Sequence, residues 1–382
     1  MWLSQPHKFI LCNNLGWQYI LAIIISNKLM KILFRSTRLI LILLSLISFR
    51  QQVSAQKSKI SQIDYYLQSA HDLGLFNGNV LITDNNKVIF KKAIGYADAS
   101  KEIPLTTQYR FHIGSIAKEF DAAGIMMLQE EGKLNINDKV LKYFPGLSSW
   151  AAKVSIKNLL QYTSGIPDIK WKTVHSDEDN WKDLQALTTL DFEPGSNYAY
   201  NNNNTFLRRR IIEKVSGLSF NEFVAQKMLK PAGIRNGTVD PSEADKLVAK
   251  SFDDDFKQDA LNAPISGWTC LNLDDFYKWS QCINLFCLIN PESTLEIITP
   301  FAAGKQSGFG GGSMKGNRVV THVHDGTTMH YRALLDTDAL KGRTIILLTN
   351  QRQSNIYEVA ADIKAILDSK PYHPLQKPSV EN

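Results

Sequence analysis

Three short groups of residues have the types and spacing that acyl transfer needs. The first is Ser115-Ile116-Ala117-Lys118. On a helix, positions i and i+3 share a face, so the lysine amine reaches the serine hydroxyl. A serine at a helix start also lies in the positive end of the helix dipole. That field favours a neutral amine at Lys118 and a developing alkoxide at Ser115. A serine hydroxyl is a weak nucleophile until an adjacent base takes its proton, and a desolvated lysine is one such base. The second group is Tyr200-Asn201-Asn202, after Glu193-Pro194-Gly195. A phenol whose pKa a lysine lowers can relay a proton, and an amide can bond both the lysine and a substrate carbonyl. The third is His324-Asp325-Gly326, followed by Thr327. A glycine there lets substrate pair along a strand edge, and the Thr327 amide can donate to an oxyanion beside that of Ser115.

Each group also has a plainer reading. Ser54-Ala55-Gln56-Lys57 matches S-x-x-K as well as Ser115 to Lys118 does, and such a match is usually just a helix face. Asn203 and Asn204 read as loop residues that cap the next helix, and His324 alone could sit exposed on a turn. What separates the readings is the element that carries each group. Residues 57–75 are predicted helical, with Ile60, Ile63, Leu67 and Ala70 on one face. Val80 to Thr83 and Lys87 to Phe90 are β-rich runs around Asp84-Asn85-Asn86, a hairpin signal. Ser115 opens a helix over 115–131, directly after a strand and Gly114. Its stripe of Ile116, Phe120, Ala123, Gly124, Met127 and Leu128 suits a central buried helix.

From about 134 to 290 the pattern is mainly helical with long loops. Asn204 is expected to cap a helix ended by Gly217, Ser219 to Glu222 form a capping box, and Asn272-Leu273-Asp274-Asp275 opens a further helix. After 305 the period becomes that of strands: Arg318 to Thr321, His330 to Leu335, and Thr344 to Thr349, before a last helix around Ile356 to Leu367. The order predicts an α+β fold, an antiparallel sheet with strands from both ends of the chain and a helical region inserted between them.

The +6 formal charge of the 382 residues does not describe a nucleic-acid surface. Residues 1–55 hold Lys8, Lys28, Lys31, Arg35, Arg38 and Arg50 and no acidic residue, so they account for all of it. They read as an export segment: Met30 as the true start, a basic stretch, the apolar run Leu39 to Ile47, and small residues at Val53-Ser54-Ala55 for cleavage. The apolar run is shorter than the roughly 20 residues a membrane span needs. An uncleaved anchor, through which the protein would meet a membrane, stays open, since Arg50 interrupts the pattern. Residues 56–370 are then the catalytic domain, with 371–382 a tail, and the expected location is periplasmic or extracellular. Cys282 and Cys287 read as buried thiols, with a bridge from Cys270 to either left open.

Taken in order, the segments resemble the β-lactamase-related serine hydrolases, which include penicillin-binding proteins, class C β-lactamases, DD-peptidases and esterase-like members. The resemblance rests on Phe111 to Lys118, Leu128 to Leu134, Leu159 to Pro167, Pro194-Gly195 ahead of Tyr200 to Asn202, Lys230 to Ile234, and His324 to Gly326. It implies a five-stranded antiparallel sheet with flanking helices, a helical region, and a site between them. It implies acyl transfer through acyl-Ser115, with Lys118 and Tyr200 sharing proton transfer, Asn202 positioning substrate, and His324 where carboxylate-binding relatives hold a cation. Histidine in that place makes an esterase or peptidase the expectation over a true β-lactamase. The segment Thr327 to Tyr331 and the tyrosine at 162 depart from the usual pattern.

Other classes fit less well. His322, His324, Asp325 and His330 lack the spacing of H-x-H-x-D-H metal hydrolases, so no metal and no cofactor is expected. Gly308 and Gly310 to Gly312 fit neither phosphate-loop pattern, and the G-x-S-x-G elbow is absent. The rival from another class is a sensor or binding protein that acylates slowly or not at all. The expected partner is a small-molecule, peptide or ester substrate, cell-wall-derived ones included, and no nucleic acid. Trp171, Trp181 and Asp177 to Asp179 in a loop over 168–182 could form a substrate rim or a solvated surface.

Overall fold

A computed structural model describes residues 56–373, apart from 262 and 352–354, and a few isolated positions before 56. The chain separates into two units, Met1–Gln62 and Ile63–Asn382. The export-segment reading and the end of the tail fall outside the described residues. Among the described residues no helix is long and apolar enough to cross a membrane.

Within the larger unit, helical residues 63–72 (α1) bury Ile63, Leu67 and Ala70. Strands β1 (Gly78–Asp84) and β2 (Lys87–Ile94) form the expected hairpin. Asn85 and Asn86 take φ of +51° and +59°, the left-handed pair a tight two-residue hairpin requires. Strand β3 (Phe111–His112) leads through a 3-10 turn, Gly114–Ala117, into α2 (Lys118–Glu130). Ile116, Phe120, Ala123, Ile125 and Leu128 of this segment are fully covered, as its small-residue stripe predicts. There follow α3 (Val140–Tyr143), α4 (Ile156–Leu160), α5 (Asp177–Ala186), α6 (Asn202–Ser216) and α7 (Phe220–Phe223). After them come β4 (Thr238–Val239), β5 (Thr269–Leu271), α8 (Leu273–Asn284), α9 (Pro291–Ile298) and β6 (Gly311–Met314). Strands β7 (Val319–Thr328), β8 (Tyr331–Asp338), β9 (Arg343–Thr349) and helix α10 (Ile356–Leu367) close the fold.

The main sheet is antiparallel, in the order β2-β1-β9-β8-β7-β6. Both ends of the chain supply strands, and the mainly helical region lies between them in sequence. Every residue of β9 is buried, because α8 packs against this strand and α10 against it and β8. The Tyr66 hydroxyl ties α1 to Asp362 of α10 at 2.9 Å.

Five expectations need correction. The sheet has six strands rather than five, because Gly310 to Gly312 hide β6 behind low strand propensity. The strand expected before Ser115 is β3, but it pairs in a small second sheet, β3-β5-β4, whose β4 and β5 lie in the region read as helical; two or three residues per strand leave no period to detect. Helix α6 is capped by Asn201, not Asn204, so Asn202 stands in its first turn. Cys282 and Cys287 are bridged, with Cα atoms 5.0 Å apart, while Cys270 is the buried free thiol. The supposed loop at 168–182 contains the start of α5. Asp177, Glu178 and Asp179 fill its first turn behind the Ser176 cap, where the helix dipole favours them. Trp181 packs edge-on against Phe144, so it is core rather than rim.

Candidate active site

The 3-10 turn at 114–117 places Ser115 partly exposed at the mouth of α2, with Lys118 beneath it. Lys118 is 1 % exposed and its Nζ donates to Ser115 Oγ at 3.0 Å. Burial disfavours the ammonium form and brings the Lys118 pKa down to about 8. Arg209 and Arg208 push it the same way, against Tyr162 and Asp121. The Trp268 and Tyr200 rings close round the amine, centroids 5.1 and 5.2 Å from Nζ. Asp121 in turn binds Arg208 at 2.5 Å and Arg209 at 3.3 Å, all three side chains fully buried. His112 accepts the Gly114 N–H at 3.2 Å, which fixes the turn. Burial, with Arg209 and Lys118, drives its pKa to about 3, so the ring is neutral.

Tyr200 arrives from the segment before α6. Burial raises its pKa well above the usual phenol range, while the adjacent Ser115 side chain pulls the other way. The hydroxyl is therefore protonated. It is buried and makes no hydrogen bond of proper geometry among the described residues, a state that costs free energy until a partner arrives. Asn202 does not join this group by hydrogen bonding. Its backbone N–H and side-chain amide both donate to Asp168 Oδ1, at 2.8 and 3.4 Å, and its amide oxygen accepts no hydrogen bond among the described residues. Tyr162 packs against Tyr200 with ring centroids 4.7 Å apart and planes tilted by 40°, and holds a φ of +55°.

Strand β7 supplies the third wall. Its pairing with β6 ends at Val323, so from His324 onward that edge has no strand partner among the described residues. Gly326 is required by proximity: a Cβ there would lie 1.9 Å from the Ile113 carbonyl oxygen and 2.9 Å from the Ser115 nitrogen. A Cβ on Gly114, at φ +54°, would come 2.4 Å from the Thr327 nitrogen. The Ser115 turn and the Gly326-Thr327 backbone are thus in close contact, as a two-amide oxyanion site demands.

His324 is neither on a turn nor exposed. It is 1 % exposed on the inner face of β7, and its Nδ1 meets Glu119 Oε1 at 2.7 Å. His322 Nε2 meets the same oxygen at 3.0 Å, and Trp279 Nε1 donates to Oε2 at 2.6 Å. Burial would raise the Glu119 pKa, but the two histidines outweigh it and hold the carboxyl at about 2. These three groups have donor atoms within 4.8 Å of one another. Glu119 bonds both rings and so anchors β7 to α2 directly behind Lys118, while the far nitrogens, His322 Nδ1 and His324 Nε2, make no hydrogen bond among the described residues. Sequence reasoning missed Glu119, His112, Asp168, Trp268 and the Asp121 cluster. Adjacency of Glu119 to Lys118 on a buried helix was the one available signal.

A fold of this kind, with a serine and lysine one turn apart against an open strand edge, defines a class of acyl-serine enzymes, and comparison with known proteins agrees. The Beta-lactamase family model matches residues 68–367, and the chain belongs to that family of serine hydrolases. Penicillin-binding protein 4* of Bacillus subtilis is 27 % identical over 349 residues, covering 80 % of this chain and 75 % of the relative. Teichoic acid D-alanine hydrolase of Staphylococcus aureus is 30 % identical over 206 residues, 53 % of this chain and 50 % of its own length, so the match spans about half of that relative. Among solved structures, FmtA from Staphylococcus aureus superposes with a TM-score of 0.68 at 24 % identity, over 85 % of this chain and 93 % of that one. A class C beta-lactamase gives 0.68 at 19 %, over 82 % and 98 %.

Proposed function

We propose that the protein is an exported hydrolase that cleaves an ester or amide through an acyl-Ser115 intermediate. The observation that carries this is the buried Lys118 amine, bonded to Ser115 Oγ at 3.0 Å with its pKa brought down to about 8. Near neutral pH a usable fraction of that amine is neutral and accepts the serine proton as Oγ attacks the carbonyl. The N–H groups of Ser115 and Thr327 take the oxyanion. Tyr200, protonated and with no hydrogen bond among the described residues, delivers a proton to the leaving group, and Lys118 restores it. Water then attacks the acyl-serine by the reverse proton path. Lys118 is the base in this scheme and Tyr200 the acid. Asn202, oriented by Asp168, offers its amide oxygen to a substrate N–H. His324 acts from beneath the strand, through Glu119, as a positioning residue.

An envelope-derived acyl substrate is the reading that the relatives' names support, since one is a penicillin-binding protein and one acts on teichoic acid D-alanine. The export-segment pattern before residue 56 points to the same location. Hydrolysis of p-nitrophenyl acetate by the full chain and by Ser115→Ala tests the proposal. Turnover lost in the variant supports it. Absence of turnover in both would favour the binding-protein alternative.

A further inference from the structure

Asp325 sits at the start of the open β7 edge, half-buried, one residue from the backbone that packs on Ser115. Its Oδ1 accepts from the Tyr357 hydroxyl at 2.7 Å and from Gln306 Nε2 at 3.4 Å. Both donors are neutral, since burial and the bond to Asp325 raise the Tyr357 pKa well above its usual value. They hold the carboxylate in place without cancelling its charge, and Oδ2 makes no hydrogen bond among the described residues. No cation forms an ion pair with Asp325 there either. Arg332 of β8, paired opposite Thr327 of β7, directs its guanidinium to the Thr327 hydroxyl instead. His324, the neighbouring residue that could have offered positive charge, is committed to Glu119.

The position of this carboxylate relative to the chemistry follows from its neighbours. Gln306 N–H donates to Tyr198 Oη at 3.2 Å, and Tyr198, Tyr162 and Tyr200 form a continuous row of rings. The Asp325 charge is felt at Tyr200, where it opposes ionisation of the phenol. Tyr200 is the group that protonates the departing atom, so Asp325 lies on the side toward which the leaving group moves.

We infer that Asp325 forms a cation-accepting subsite on the leaving-group side of the site, selecting esters or amides whose leaving group carries an ammonium charge over those whose leaving group ends in a carboxylate. This rests on the acyl-serine reading for its direction. A carboxylate-terminated leaving group would meet a negative charge that no cation among the described residues pairs, in a partly desolvated place, whereas an ammonium gains an ion pair there.

Two thioesters with the same acetyl group, acetylthiocholine and 3-(acetylthio)propionate, test it through release of their thiols. The kcat/KM ratio of cation to anion should fall by about tenfold or more from the full chain to Asp325→Asn. Comparing one ratio between two proteins cancels the intrinsic reactivities of the thioesters. A ratio that stays within about twofold overturns the subsite. Calorimetric titration of Ser115→Ala with the same compounds reads binding without turnover. Tighter binding of the cation that disappears in the Ser115→Ala/Asp325→Asn double variant supports the subsite, and equal binding of both compounds overturns it. Turnover that survives in Ser115→Ala contradicts the acyl-serine reading instead, and the binding result then decides the subsite separately.

Discussion

Lys118 holds its amine in the core at a cost. Its folded-state pKa lies below the ordinary lysine value, so the fold disfavours the ammonium form, by roughly 3 kcal/mol for a displacement of this size. The unfolded chain binds the extra proton. Stability from this group is therefore lowest below the folded pKa near 8, and it recovers as pH rises toward 10.5. Lys118→Met should abolish turnover and yet raise Tm at pH 7, measured by scanning calorimetry; a fall in Tm would mean that the amine contributes net stability. Tyr200→Phe removes the proposed proton donor and should cost about 10²- to 10⁴-fold in kcat, with Tm held or raised, since the buried hydroxyl makes no hydrogen bond among the described residues that could be lost. Loss of Tm together with activity would assign Tyr200 a structural role. At this scale the sequence was informative where chemistry follows local spacing, as from Ser115 to Lys118. Asp168, Trp268 and His112 reach the site through contacts between distant segments, and no periodicity announces those.

At the scale of elements, two buried polar clusters fix α2 against its surroundings. Glu119 with His322 and His324 ties it to β7, and Asp121 with Arg208 and Arg209 ties it to α6. Removing one member of such a cluster strands the others without compensation. Asp121→Ala should therefore lower stability by about 3–5 kcal/mol in urea unfolding, and a loss under about 1 kcal/mol would show that solvent reaches the arginines. The small-residue stripe of α2 and the Asn85-Asn86 hairpin were legible because each declares itself within a few residues. Strand β6 was not: Gly311 and Gly312 have no strand propensity, and its place is set by pairing to β7. The start of α6 was misjudged by three residues because four consecutive asparagines offer equivalent caps.

Across the whole molecule, the sheet assembles strands from both ends of the chain, so β1 pairs with β9 across most of the sequence. That topology was readable from the change of period after 305, which left an antiparallel sheet with a helical insertion as the simplest arrangement. The disulfide was not readable, because an odd number of cysteines beyond residue 55 gives no pairing rule. Cys282 and Cys287 are five residues apart, so their bridge closes a short loop and removes little freedom from the unfolded chain, about 2 kcal/mol on the loop-entropy scale. Reduction should lower Tm by a few degrees and leave the kcat for p-nitrophenyl acetate unchanged. Loss of activity on reduction would couple α8 to the site.

The central claim is that Ser115 is made nucleophilic by Lys118. The most direct measurement is the rate of covalent labelling by a serine-reactive phosphonate between pH 6 and 10, followed by intact mass and peptide mapping. The account predicts one adduct on Ser115, none in Ser115→Ala, and a rate that rises with a midpoint near pH 8 as Lys118 loses its proton. An adduct elsewhere, or a rate that does not change across this range, would contradict it.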